Sequence, residues 1–185
     1  RIIGFRTAEL FFSEYSAGSD NNRYLEIYNP SVDPVGLDDY AFPSTHGGAD
    51  IQGMWDVWND FPNNAVIEPS DVYVICDPKI DPSIFVECDS TFEGVVDARD
   101  SFALVKGTVD GFLPVDRIGD WYEKLDSNAW SVCGQIEATS SMRLIKKPLT
   151  DGLVDWEQSA GSNASDCAWN LGPQDDSSQM GTHDY

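Results

Sequence analysis

The chain reads as an all-β protein, an antiparallel sandwich of short strands with long loops. Three observations carry that reading. Residues 10 to 29, LFFSEYSAGSDNNRYLEIYN, are two runs of alternating apolar and polar residues joined by a turn rich in Gly, Ser, Asp and Asn. No stretch of a dozen residues keeps apolar side chains at the three-and-four spacing of an amphipathic helix. Fifteen Gly and 10 Pro punctuate the chain at short intervals, as turns between short strands require.

The elements follow in order. In the first strand, 9 to 15, alternation puts Leu10, Phe12 and Glu14 on one face and Phe11, Ser13 and Tyr15 on the other. Gly18 to Asn22 supply residues that accept positive φ or cap their own backbone. In the second strand, 23 to 29, Leu25 and Ile27 oppose Tyr24, Glu26 and Tyr28. Further strands are predicted at 36 to 42, 71 to 76, 84 to 88, 101 to 106, 112 to 118 and 141 to 146. Residues 43 to 69 interrupt this rhythm with Trp55, Trp58 and Phe61 at spacing three, either one helical turn or an aromatic loop. Such a trio is a satellite core beneath a long loop or a patch that meets a partner. After Trp156 the chain is polar, with Trp169 its one large anchor, and is expected to wrap the sandwich as irregular coil.

A chain of 185 residues suits one domain and buries about 70% of its unfolded surface. Six Trp, seven Tyr and nine Phe supply bulk for its core. Against 32 acidic residues stand 11 basic ones, a net charge of −21. That field repels phosphate backbones and anionic membranes, so neither nucleic acid nor membrane insertion is expected. Spread acidity serves solubility or salt tolerance; clusters of carboxylates can also hold Ca²⁺. No DxDxDG loop occurs, and the carboxylates to watch are Asp77, Asp81, Asp89, Asp97 and Asp100, with Asp175 and Asp176 in the tail.

Four cysteines allow three pairings. None forms a CxxC, and with two histidines a zinc site is not expected. Cys76 ends the run DVYVIC and Cys88 ends IFVEC, so a hairpin would join them, leaving Cys133 for Cys167. The first link would contribute on the order of 3 kcal/mol by restricting the unfolded chain. Paired cysteines and the sequon at Asn163 point to an extracellular or cell-surface location. The chain begins without Met and shows no signal-like start and no apolar run of membrane length, as expected of one module of a longer protein.

Several segments, in order, resemble the lamin-tail domain family of the type found in secreted microbial and algal proteins. They are SEY and LEIYN, DPVGLDDYAF (33 to 42), EPSDVYVIC (68 to 76), DSFALVKG (100 to 107), VDRIGDW (115 to 121) and SSMRLIKKP (140 to 148). The closing coil with DWEQ and AWNLGPQDDSSQMGTH fits as well. Departures are Asp39 at a position usually small or Gly, the insertion around Trp55, the four cysteines, and Ser140-Ser141-Met142 where a Thr is frequent. The resemblance spans residues 9 to 183 and implies a single immunoglobulin-like sandwich acting as a non-catalytic module. Fold does not fix function, and that step is analogy.

The residues themselves offer little catalysis. His46 sits in a Gly-rich turn and His183 near the end, with no GxSxG, GxxxxGK or GxGxxG anywhere. Glu14 and Glu26 lie in the paired strands, each able to accept bonds from backbone amides, Arg23 or Arg143, and read as buried or half-buried carboxylates that hold strand geometry. Arg143, Lys146 and Lys147 read as a solvated strand end, or as a surface for an anionic partner. The expected function is a structural module for adhesion, assembly or scaffolding, with no cofactor beyond Ca²⁺. Its partners would be other protein modules or copies of itself, met through Trp55, Trp58 and Phe61. The alternative is an accessory domain of a secreted nuclease, phosphatase or other hydrolase.

Overall fold

A computed structural model describes residues 9–94, 97–122, 125 and 127–185. Among them the fold is all-β, with two short helices. One sheet has six strands in the order β12-β11-β1-β2-β7-β8. These are β1 (Phe11–Ala17), β2 (Arg23–Tyr28), β7 (Val72–Cys76), β8 (Ser90–Thr91), β11 (Met142–Lys146) and β12 (Trp169–Pro173). A second sheet joins β4 (Tyr40–Ala41), β5 (Ser44–Thr45), β9 (Ser101–Thr108) and β10 (Gly111–Ile118), and β3 (Val35–Gly36) pairs with β6 (Val66–Ile67). The helices are α1 (Ala138–Ser141) and α2 (Trp156–Ala160). No helix among the described residues is long and apolar enough to cross a membrane.

The two larger sheets face each other across one apolar layer. Phe12, Tyr15, Leu25, Ile27, Tyr73, Ile75 and Leu144 of the first meet Tyr40, Phe102, Leu104 and Ile118 of the second. Leu25 and Ile27 point inward as their alternation requires, and Tyr24, Glu26 and Tyr28 point out. The first strand departs from strict alternation. Phe12 pairs with Ile27 but Glu14 pairs with Glu26, so Ser13 is an extra residue, a bulge in β1. Beyond it the faces exchange: Tyr15 joins Phe12 in the core, and Glu14 turns outward beside Tyr24.

Other departures have local causes. The predicted strand at 36 to 42 breaks because the Tyr40 amide donates to the Leu37 carbonyl at 2.9 Å, a turn that exposes Asp38 and Asp39 and buries Leu37 and Tyr40. Residues 84 to 88 are not a strand, since Phe85–Glu87 form a 3₁₀ turn. Asp81 starts that turn: its carboxylate accepts from the Ser83 amide and hydroxyl, and its carbonyl from the Ile84 and Phe85 amides. Cys76 is bonded to Cys88, and Cys133 to Cys167. The first link closes a parallel crossover from β7 to β8, not a hairpin.

The C-terminal stretch is not all coil. Asp155 caps α2 by accepting from the Gln158 amide at 3.1 Å, and β12 extends the large sheet by pairing with β11 along its length. The residues after β12 then cross the outer face of that sheet. There His183 packs against Phe11 and Tyr28 with ring centroids 5.6 and 4.9 Å apart.

Candidate functional site

The aromatic loop forms no helical turn. Its latter half runs extended beside β4 and β5, with the Phe42 amide donating to Asn59 O at 2.8 Å and the Ser44 amide to Val57 O at 2.9 Å. This extended path divides the trio. Phe61 enters the main core, 5.0 Å from Phe42 and 5.7 Å from Tyr73, and is only 7% exposed. Phe61 is thus a core residue, as the satellite-core reading of the trio has it. Trp55 and Trp58 lie on the opposite, outer face of the smaller sheet, half-buried over Ala41, Ala103 and Val105. They pack edge-on to each other at 5.2 Å, and Phe112 lies 5.1 Å from Trp55 and 5.4 Å from Trp58.

Around this shelf the backbone is pinned. The Gly53 amide donates to Trp121 O at 2.9 Å and Gln52 Nε2 to Tyr122 O at 2.8 Å. The Arg117 guanidinium stacks on Trp121 and Tyr122 at 5.3 and 5.4 Å. Ile51 (68%), Met54 (45%) and Tyr122 (51%) stay exposed along its border. A rigid aromatic shelf with an exposed apolar border can bury apolar area against another surface.

The two motif carboxylates are fully buried. Glu14 accepts from the Tyr24 hydroxyl at 2.7 Å, and Glu26 from the Ser13 hydroxyl at 2.7 Å and the Gly181 amide at 2.8 Å. Arg143, itself 2% exposed, places Nη1 3.8 Å from Glu14 and reaches Gln179 and Asp176 of the tail with Nη2. Arg23 makes none of these bonds. Desolvation, then the neighbouring Glu14 charge, pushes the Glu26 carboxyl up to about 8. Desolvation also raises Glu14, opposed by the Tyr24 hydrogen bond and Arg143. This cluster fastens the tail, and Glu14 borders a cleft of about 220 Å³ with Gln179, Thr182 and His183.

His46 borders a cleft of about 480 Å³ with Arg23, Asp97, Arg99 and Asp100. Its Nδ1 lies 3.6 Å from the buried Asp100 carboxylate, which also accepts from the Gly47 and Asp97 amides. The remaining carboxylates singled out in the sequence likewise bind local backbone: Asp77 the Lys79 amide, Asp81 the Ser83 amide, Asp89 the Val74 amide and Asp97 the Arg99 amide. In the tail Asp175 accepts from Ser19, and Asp176 from the Ser178 amide. Among the described residues no three His, Cys, Asp or Glu side chains converge to hold a metal. Asn163 is exposed in the loop between α2 and β12, its amide nitrogen donating to Asp166 at 2.9 Å.

The basic cluster is the largest revision. Arg143 and Lys146 are not a solvated strand end but rank among the bulkiest fully buried side chains. Lys147 alone lies nearer the surface, donating to the Ala164 and Cys167 carbonyls at 2.7 Å. Lys146 pairs between the sheets with Asp116, a residue that sequence reasoning missed, and each side chain is 0% exposed. A signal was present: Met142, Leu144 and Lys146 alternate along β11, so Lys146 occupies an inward position. Comparison of the chain with protein-family models, curated proteins and solved structures found no match in any of the three.

Proposed function

We propose that this chain is an extracellular, non-catalytic binding module with an immunoglobulin-like, lamin-tail-like sandwich, and that its shelf of Trp55, Trp58 and Phe112 docks another protein module. The shelf carries the reading. It is the place where half-buried Trp side chains, held by a rigid sheet, adjoin exposed apolar ones. The kinship is supported by where the family-like segments fall: SEY on β1, LEIYN across β2, DVYVIC on β7, SFALVKG on β9 and MRLIK on β11, in one two-layer structure. Two disulfides suit an oxidising, extracellular-type environment.

The test is a map of inter-chain crosslinks in the native assembly, with binding of the captured partner to wild type and to a Trp55→Ser, Trp58→Ser double variant. Crosslinks from residues 51–58 to another chain, and at least tenfold weaker binding by the variant, are expected. Crosslinks confined to other faces would overturn the docking site, and hydrolysis of a phosphodiester or glycoside by the isolated chain would overturn the non-catalytic reading.

A further inference from the structure

Asp116 stands on β10 and Lys146 on β11, strands of different sheets, and both side chains are shielded from water. The amine nitrogen lies 3.1 Å from Oδ2 and 3.4 Å from Oδ1 of the carboxylate. Trp169 walls it at 4.0 Å from the ring centroid and Phe11 at 5.9 Å. The carboxyl group is held from several sides. The Arg117 and Leu153 amides donate to Oδ1 at 2.9 and 2.8 Å, and the Phe12 amide to Oδ2 at 2.9 Å.

Such surroundings disfavour separated charges. Desolvation lowers the proton affinity of Lys146 and raises that of Asp116, with the ion pair opposing both shifts. The neutral forms, amine and carboxylic acid, are thereby brought within reach of each other. Amide formation needs a neutral amine in contact with a carboxyl carbon, and fixed contact can act as an effective concentration on the order of 10⁵ M. It also needs donors for the oxygen that gains charge when the amine adds, and two backbone amides already point at Oδ1.

From this geometry we propose that Lys146 and Asp116 condense into an intramolecular isopeptide bond that staples the two sheets together. The ammonium first hands a proton to Oδ2. The Nζ lone pair then adds to Cγ, and the resulting oxyanion at Oδ1 is held by the Arg117 and Leu153 amides. Oδ2 leaves as water, carrying that first proton and a second one from nitrogen, while the C–O bond breaks and the C–N bond remains. The product is a secondary amide with one N–H, and the sum is ammonium plus carboxylate giving amide plus one water. No oxidant, metal or further reactant enters.

The mass of the full wild-type chain, measured after reduction of both disulfides, decides the matter. It is expected to be lighter than the sequence by one water. Trypsin is expected to stop cutting after Lys146 and to release a branched product joining the Gly107 to Arg117 peptide to the one that begins at Leu144. Lys146→Met should restore full mass. A wild-type chain of full mass would reduce the pair to a simple ion pair and overturn the bond. So would a lost water that maps to a succinimide at Asp110-Gly111 or Asp151-Gly152 and is regained in mild base.

Discussion

Two of the places where the sandwich buries charge are composed differently. Between the sheets, Asp116 and Lys146 set one acidic group against one basic group in direct contact, the carboxyl also receiving three backbone amides. Under the tail, Glu14 and Glu26 are register partners on neighbouring strands and share Arg143, two carboxylates to one fully buried cation. The first cluster balances, and removing either member leaves a lone buried charge. The second has a carboxylate in excess, so it relieves repulsion by keeping a proton. Charge count, more than depth of burial, separates a rigid element from a pH-responsive one.

The harshest way to break this comparison is Lys146→Met, which strands Asp116 in the interior and should cost about 3–5 kcal/mol in denaturant unfolding. Restoring neutrality with Asp116→Leu in the same chain should recover the part of that loss that comes from the stranded carboxyl. Arg143→Met should be milder, about 2 kcal/mol, because the carboxylates left without it can take up protons instead of remaining charged. Its local signature would be faster amide exchange at Gly181 as the tail loses its anchor.

Glu26→Gln sharpens the contrast with pH. The folded carboxyl titrates near 8, above its ordinary 4.5, so the folded chain binds more protons than the unfolded one between those values. Wild-type stability should therefore fall as pH rises from about 4.5 to 8. Glu26→Gln should flatten that decline, so that the variant gains on wild type most strongly near pH 8. His183 works with the opposite sign. Desolvation holds it at about 4 instead of 6.5, so its contribution is lost as pH falls through that window. Replacing it with Phe should soften the acid limb by a smaller amount, read from the same unfolding curves.

How much of this was legible beforehand depended on whether a feature is local. Leu25 and Ile27 alternate within one strand, so their inward direction can be read directly. Cys76 and Cys88 are near neighbours in the chain, so their pairing needed little long-range information, although the 3₁₀ turn set by Asp81 replaced the expected hairpin. Trp55, Trp58 and Phe61 look like one group because they are close in sequence. An extended path beside β4 sends Phe61 through to the core and leaves the two Trp outside. Asp116 and Lys146 were hardest, because their meaning lies in a contact between sheets 30 residues apart in sequence. Lys146 read as solvent-facing by its charge, although its register in β11 directed it inward.

The surplus residue in β1 gives the chain an uneven tolerance to change. Replacing Ser13 with Ala removes one hydroxyl bond to Glu26 and should be mild, about 1 kcal/mol. Deleting it would shift the parity of the strand on one side of the gap, swapping Glu14 with Tyr15 or carrying Phe12 out of the interior. Sequences drifting by point substitution can thus exchange the buried Ser13 for a residue of similar size at modest cost, whereas those that lose a codon there must reset the facing of a whole strand.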